Sequence, residues 1–186
     1  QFGIALEGSE TDPESFYQCA VAQMHMGGYE KAIKFANRVL EKAPDLIGAL
    51  LIKAHACERL GDFDEALELY EEALRADSKN HGLWSARGML LISLGRYNDA
   101  GKSFEKALEY GAEDPSSWFG KAVALEQLGK HDAAIESLDK VLEIKPDDPA
   151  ASYKKGICLT HLGRFSEASE CFEIAFRKEK KQKTED

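Results

Sequence analysis

The sequence predicts an all-α chain of five stacked helix-turn-helix units, and three observations carry that prediction. Gly27, Gly61, Gly95, Gly129 and Gly163 recur every 34 residues, and Ala32, Ala66, Ala100, Ala134 and Ala168 keep the same interval. Within each half-unit the apolar residues fall three and four apart, which marks one face of a helix rather than the alternation of a strand. Five units follow without an insertion: 13–46, 47–80, 81–114, 115–148 and 149–182.

The first unit opens on Asp12-Pro13, where the carboxylate can cap free amides and the proline fills a position that needs no N–H. Its first helix closes on Met26-Gly27, the glycine being free to take the left-handed conformation that satisfies the last carbonyls. Pro44 ends its second helix, and Gln23 and Ala36 are expected to loosen its packing. The second unit carries Leu50 four residues in, Leu60-Gly61 at its turn, and Tyr70 and Leu74 on its second helix. The third repeats this with Trp84, Leu94-Gly95, Phe104 and Leu108, although Gly101 weakens its second helix. The fourth opens on Asp114-Pro115 and carries Trp118, Leu128-Gly129, Leu138, Leu142 and Pro146. The fifth opens on Asp148-Pro149 and closes its first helix on Leu162-Gly163. There Ser152 replaces the bulky early residue and Tyr153 is expected to compensate. Eight residues into the units stand Ala20, Ala54, Gly88, Ala122 and Gly156, expected to face the alanine row so that paired helices approach closely.

Taken together, Trp118, Ala122, Leu125, Gly129, Ala134, Leu138, Val141-Leu142 and Pro146 resemble the tetratricopeptide repeat (TPR) family, over 170 of the 186 residues. The resemblance implies a right-handed superhelix, an α-solenoid whose concave face comes mainly from first helices. Phe2, Ala5 and Leu6 fall in register with Phe104, Ala107 and Leu108, so residues 1–12 read as a remnant of a preceding second helix, and 183–186 as a tail. With Gln1 at its start, the chain reads as part of a longer protein. Phe172 and Phe176 are expected to be partly uncovered, which raises the alternative of homo-oligomers joined through open array ends.

The expected partner-binding groove is lined by Tyr17 and Val21, Leu51 and His55, Met89, Phe119 and Val123, and Tyr153 and Ile157. Apolar, aromatic and Met side chains suit an amphipathic helix or an extended apolar peptide. The chaperone-binding subclass of the family clamps a terminal carboxylate with Lys, Asn and Arg. Here Tyr17, Val21, Ile52, Gly82 and Ala86 stand at those places, which argues against such a ligand.

Catalysis, cofactors and metals find no support. No phosphate-binding glycine loop, His-Glu-x-x-His or nucleophile elbow occurs. Cys158, His161 and Cys171 share the fifth unit but lack a fourth zinc ligand, and Cys19 and Cys57 hold core-type places. With 33 acidic against 24 basic residues, a net charge of −9 argues against nucleic acid, whose backbone selects Lys and Arg. No stretch is apolar enough for membrane insertion. Four widely spaced cysteines and the absence of an Asn-x-Ser/Thr acceptor favour a reducing, cytoplasmic setting. Arg177, Lys178, Lys180, Lys181 and Lys183 read as complements to a helix C-terminus. Glu71 with Arg75 and Glu136 with Lys140 read as solvated pairs. The sequence therefore points to a non-catalytic interaction scaffold, with the regulatory or targeting region of a larger enzyme as the alternative.

Overall fold

Four of the five first helices start on a side-chain cap, the exception following Leu46, and all five stop at a left-handed glycine. The computed structural model describes residues 12–182, with side chains described as far as Phe176. The expectations for Phe2, Ala5 and Leu6, and for the side chains from Arg177 to Lys183, lie outside that range. The first helices are α1 (Pro13–His25), α3 (Ile47–Leu60), α5 (His81–Ser93), α7 (Pro115–Gln127) and α9 (Pro149–His161). The second helices are α2 (Tyr29–Leu40), α4 (Phe63–Ala76), α6 (Tyr97–Tyr110), α8 (His131–Ile144) and α10 (Phe165–Gln182). No strand occurs among the described residues.

The Asp-Pro starts behave as the sequence predicts. Asp12 accepts from the Glu14 amide, Asp114 from those of Ser116 and Ser117, and Asp148 from that of Ala151 at 2.9 Å. Asn80 does the same for α5, accepting from Leu83. At the other end the repeating glycines all have left-handed φ, from 70° at Gly95 to 89° at Gly61. The amide that follows each reaches back five residues: Gly28 to Gln23, Asp62 to Cys57, Arg96 to Leu91, Lys130 to Leu125 and Arg164 to Leu159, at 2.8–2.9 Å. This closure satisfies orphan carbonyls and reverses the chain within two residues.

Helices α1–α4 form one compact unit and α5–α10 another. Inside each, a helix packs mainly on its chain neighbours, the pattern of a stacked array. Contacts are close because the facing residues are small. Ala20, Ala32, Ala54 and Ala66 are wholly buried in the first unit, as are Ala100 and Ala134 in the second. Tyr70 fills the first core, while Phe104 and Leu138 fill the second.

Three sequence expectations need correction. The space left by Gly88 and Gly156 is taken by aromatic rings rather than by the alanine row: a Cβ at Gly88 would lie 2.8 Å from the Phe104 ring, and one at Gly156 2.6 Å from that of Phe172. Glycine stands where the facing residue is Phe, whereas Ala54 and Ala122 belong to units that carry Tyr70 and Leu138. Cys19 is half-buried rather than core. Lys140 takes Glu143, three residues on at 2.7 Å, in place of Glu136, a solvated pair of small energetic weight.

Candidate partner-binding face

Residues four and eight places beyond the start of a first helix share its open side, because their partners on the opposite side are consumed by the second helix. In the unit α5–α10 this brings Met89 and Phe119 together. They line a concavity of about 310 Å3 whose wall also includes Ser85, Pro115 and Ser116. Met89 is 52% exposed and Phe119 half-buried, so the concavity is apolar at its base yet open to a ligand. Val141 of α8 and Lys145 just beyond its end, with Asp148 and Ala150, complete it. Sequence reasoning missed Val141 and Lys145 by assigning the face to first helices alone, and Asp148 and Ala150 by starting the contribution of α9 at Tyr153. The Asp148-Pro149 start was the available signal, since it places the beginning of α9 alongside that of α7.

Val123 and Ile157 are half-buried on the same helices. Tyr153 is 44% exposed, and its ring rests on Phe172 (5.7 Å between centroids) and Phe176 (5.9 Å). It therefore covers part of the α10 aromatics, while its neighbour Ser152 is buried. Between α7 and α9 Lys154 and Glu126 form an ion pair at 2.7 Å, so this basic residue already has a carboxylate partner.

In the unit α1–α4, Tyr17, Val21 and Leu51 are half-buried and His55 is exposed. The Tyr17 ring lies over Gly48 of α3, where any Cβ would meet its hydroxyl at 2.8 Å. His55 packs edge-on against Tyr70, whose hydroxyl donates to Glu58 at 2.5 Å. Burial first, then the Glu58 carboxylate, push the Tyr70 phenol well above its ordinary range, so it remains a donor.

Cys158 is wholly buried, whereas His161 is exposed and stacks flat on His131, with 4.6 Å between ring centroids and 4° between planes. Among the described residues no group of three or more His, Cys, Asp or Glu side chains is placed to hold a metal ion. Burial pushes the Cys57 and Cys158 thiols up to about 11, which leaves them protonated and unreactive near neutrality. No described helix is long and apolar enough to cross a membrane.

Three family models described as tetratricopeptide repeat match residues 45–113, 85–149 and 125–183. A fourth, described as anaphase-promoting complex, cyclosome, subunit 3, matches residues 2–73. A TPR repeat-containing protein of Methanocaldococcus jannaschii is 34% identical over 71 residues; these are 38% of this chain, and the chain spans 21% of that relative's length. MamA from Desulfovibrio magneticus superposes with a TM-score of 0.86 at 16% identity, covering 94% of this chain and 98% of that one. YrrB, described as a TPR protein with an unusual peptide-binding site, gives 0.76 at 23% identity, covering 93% and 89%. At these identities the structural likeness establishes the fold, an all-helical solenoid of TPR type.

Proposed function

Because the chain belongs to the tetratricopeptide repeat family, we propose that it is a non-catalytic protein-interaction scaffold that receives a helix or extended segment of a partner on the open side of its first helices. The observation that carries this reading is the concavity around Met89 and Phe119. Large apolar side chains stand open there, on helices whose other sides are closed by buried Leu83, Gly88 and Leu91 in α5 and by Ala122 and Ala124 in α7. The anchors are Tyr17, Leu51, Met89, Phe119 and Tyr153, with Val21, His55, Val123 and Ile157 beside them. YrrB, a TPR protein described as having an unusual peptide-binding site, lends support from a protein of the same fold.

The mechanism is pre-organisation. Helices fixed by caps, glycine turns and neighbour packing hold the anchors in place before the partner arrives, so the ordering cost falls on the partner segment. An apolar anchor of the partner that fills the concavity gains about 1.5–3 kcal/mol from burial. The apolar lining favours an amphipathic or apolar segment over an acidic tail.

The test is capture from native lysate with the wild type and a Tyr17→Ala/Phe119→Ala double variant, followed by titration of whatever only the wild type retains. Phe119→Ala should weaken that partner about tenfold or more with helicity unchanged, in keeping with loss of a buried aromatic anchor. Equal affinity for both proteins would remove the concavity from the binding site.

A further inference from the structure

The exposed faces of α2 and α4 carry opposite charge at the same places of the repeat. Lys31, Lys34 and Arg38, with Glu41 just past the end of α2, are spaced three, four and three apart and so share one side of that helix. In the same register, 34 residues on, stand Glu65, Glu68, Glu72 and Arg75 of α4. Every place reverses sign, a cation becoming an acid three times and an acid becoming a cation once. All of these side chains reach the surface, Glu72 half-buried and the others exposed.

Elsewhere the same places are mixed in sign and satisfy their charges on their own helix. In α6 Asp99 takes Arg96 at 2.8 Å and Lys106 takes Glu109 at 2.7 Å, and in α8 Lys140 takes Glu143 at 2.7 Å. In the α2 and α4 stripes, among the described residues, Glu65 alone has an ion pair, with Lys53 of α3 at 2.8 Å. Like charges three and four apart on a helix repel one another, so each stripe is slightly unfavourable to its own helix and becomes favourable against a stripe of opposite sign. A basic stripe by itself would suit any polyanion. The acidic stripe one repeat away turns a polyanion aside, because whatever spreads beyond α2 meets Glu68 and Glu72. The matching surface must therefore hold both signs side by side, and this chain holds them.

We propose that the exposed face of α2 and α4 is where a second copy of this chain docks. The two helices are one repeat apart and run the same way, so a twofold axis lying along them and midway between them sets α2 of each copy on α4 of the other with equal places facing. Lys34 then meets the partner's Glu68, Arg38 the partner's Glu72 and Glu41 the partner's Arg75, each contact occurring twice. Exposed ion pairs are individually weak, so the contact is reversible, and the sign pattern gives it its register. The face lies on second helices of the unit α1–α4 and owes nothing to the concavity in α5–α10, so either reading can fail without the other.

The test is sedimentation equilibrium of the full 186-residue chain under reducing conditions in about 0.1 M salt, where a Debye length of about 10 Å screens the net −9 but not charges in contact. Two charge-reversed variants are compared with it: Lys34→Glu/Arg38→Glu, which leaves both stripes mainly acidic, and Glu68→Lys/Glu72→Lys, which leaves both mainly basic. Reversible dimerisation of the wild type is expected at or below about 1 mM, weakened about tenfold or more in either variant, with circular dichroism unchanged. An equimolar mixture of the two variants should dimerise again, because acidic stripes now face basic ones. Each variant is moved from the net −9 by four charges and both stay acidic, so overall attraction cannot produce that recovery. A wild type still monomeric at about 1 mM, self-association that both variants leave intact, or a mixture that fails to associate overturns the proposal. So does a monomeric wild type that binds poly-glutamate or phosphatidylserine vesicles through α2, with Lys34→Glu/Arg38→Glu abolishing it, since that result assigns the basic stripe to an anionic partner.

Discussion

Gly120→Ala tests the packing account most sharply, because local propensity and tertiary contact push in opposite directions. In an exposed helix the change is favourable by about 1 kcal/mol. Here the new methyl would overlap Cζ and Cε1 of Phe104 and lie 2.9 Å from Cε2. Carbon atoms rest at about 3.5–4.0 Å, so ring or helix must move by about an ångström. Phe104 has no room to yield: it is wholly buried, and its far side lies against Gly88, where even a hypothetical Cβ would come within 2.8–3.0 Å. Overpacking of a close-packed site costs about 1–3 kcal/mol, occasionally more, and that term dominates. We expect Gly120→Ala to lower stability by about 1–3 kcal/mol, read as a lower urea midpoint at unchanged slope. Phe104→Leu, destabilising by itself, should cost less in the Gly120→Ala background, because the shorter side chain relieves the overlap. A Gly120→Ala protein as stable as its parent, or strictly additive single variants, would refute the reasoning.

The same substitution should change sign at Gly101. No atom lies within 4 Å of a Cβ built there and its φ is not positive, so Gly101→Ala should raise the urea midpoint by an amount equivalent to about 0.5–1 kcal/mol. Tyr70→Phe removes the hydroxyl that serves the half-buried Glu58 carboxylate and should cost about 1–2 kcal/mol by denaturation, with the same helix content. Cys57 and Cys158, both raised to about 11, should be alkylated at pH 8 far more slowly than a free cysteine, while the same thiols react readily in 6 M guanidinium at that pH. The unfolded thiols ionise near 9, so this contribution to stability is complete below about pH 9 and is lost as pH rises toward about 11.

What was legible in the sequence was whatever is settled within a few residues. Asp-Pro at 12–13, 114–115 and 148–149 names both the capping side chain and the first helical residue, and the 34-residue glycine row names the turns. Neither needs tertiary information, and both stand in the structure. The pairing of Gly88 with Phe104 was hidden, because spacing gives the face on which a residue lies but not how far a ring reaches across it. Val141 and Lys145 were missed for a related reason. Val141 belongs to α8, whose apolar stripe reads as core, and Lys145 caps the end of that helix, so both reach the wall beside Met89 and Phe119 from outside the first helices. Tyr153 reads from the sequence as a groove anchor and as compensation for Ser152; its ring lies against Phe172 and Phe176 while remaining 44% exposed, a contact that spacing alone does not give.

Photo-crosslinking tests the scaffold reading most directly. With benzoylphenylalanine at Met89 in one protein and at Lys102 on α6 in another, both sites are exposed, but only the first borders the concavity. Our account predicts a partner adduct from position 89 that added unlabelled wild-type protein suppresses, and none from position 102. Equal adducts from both positions, or adducts from position 102 alone, would contradict it.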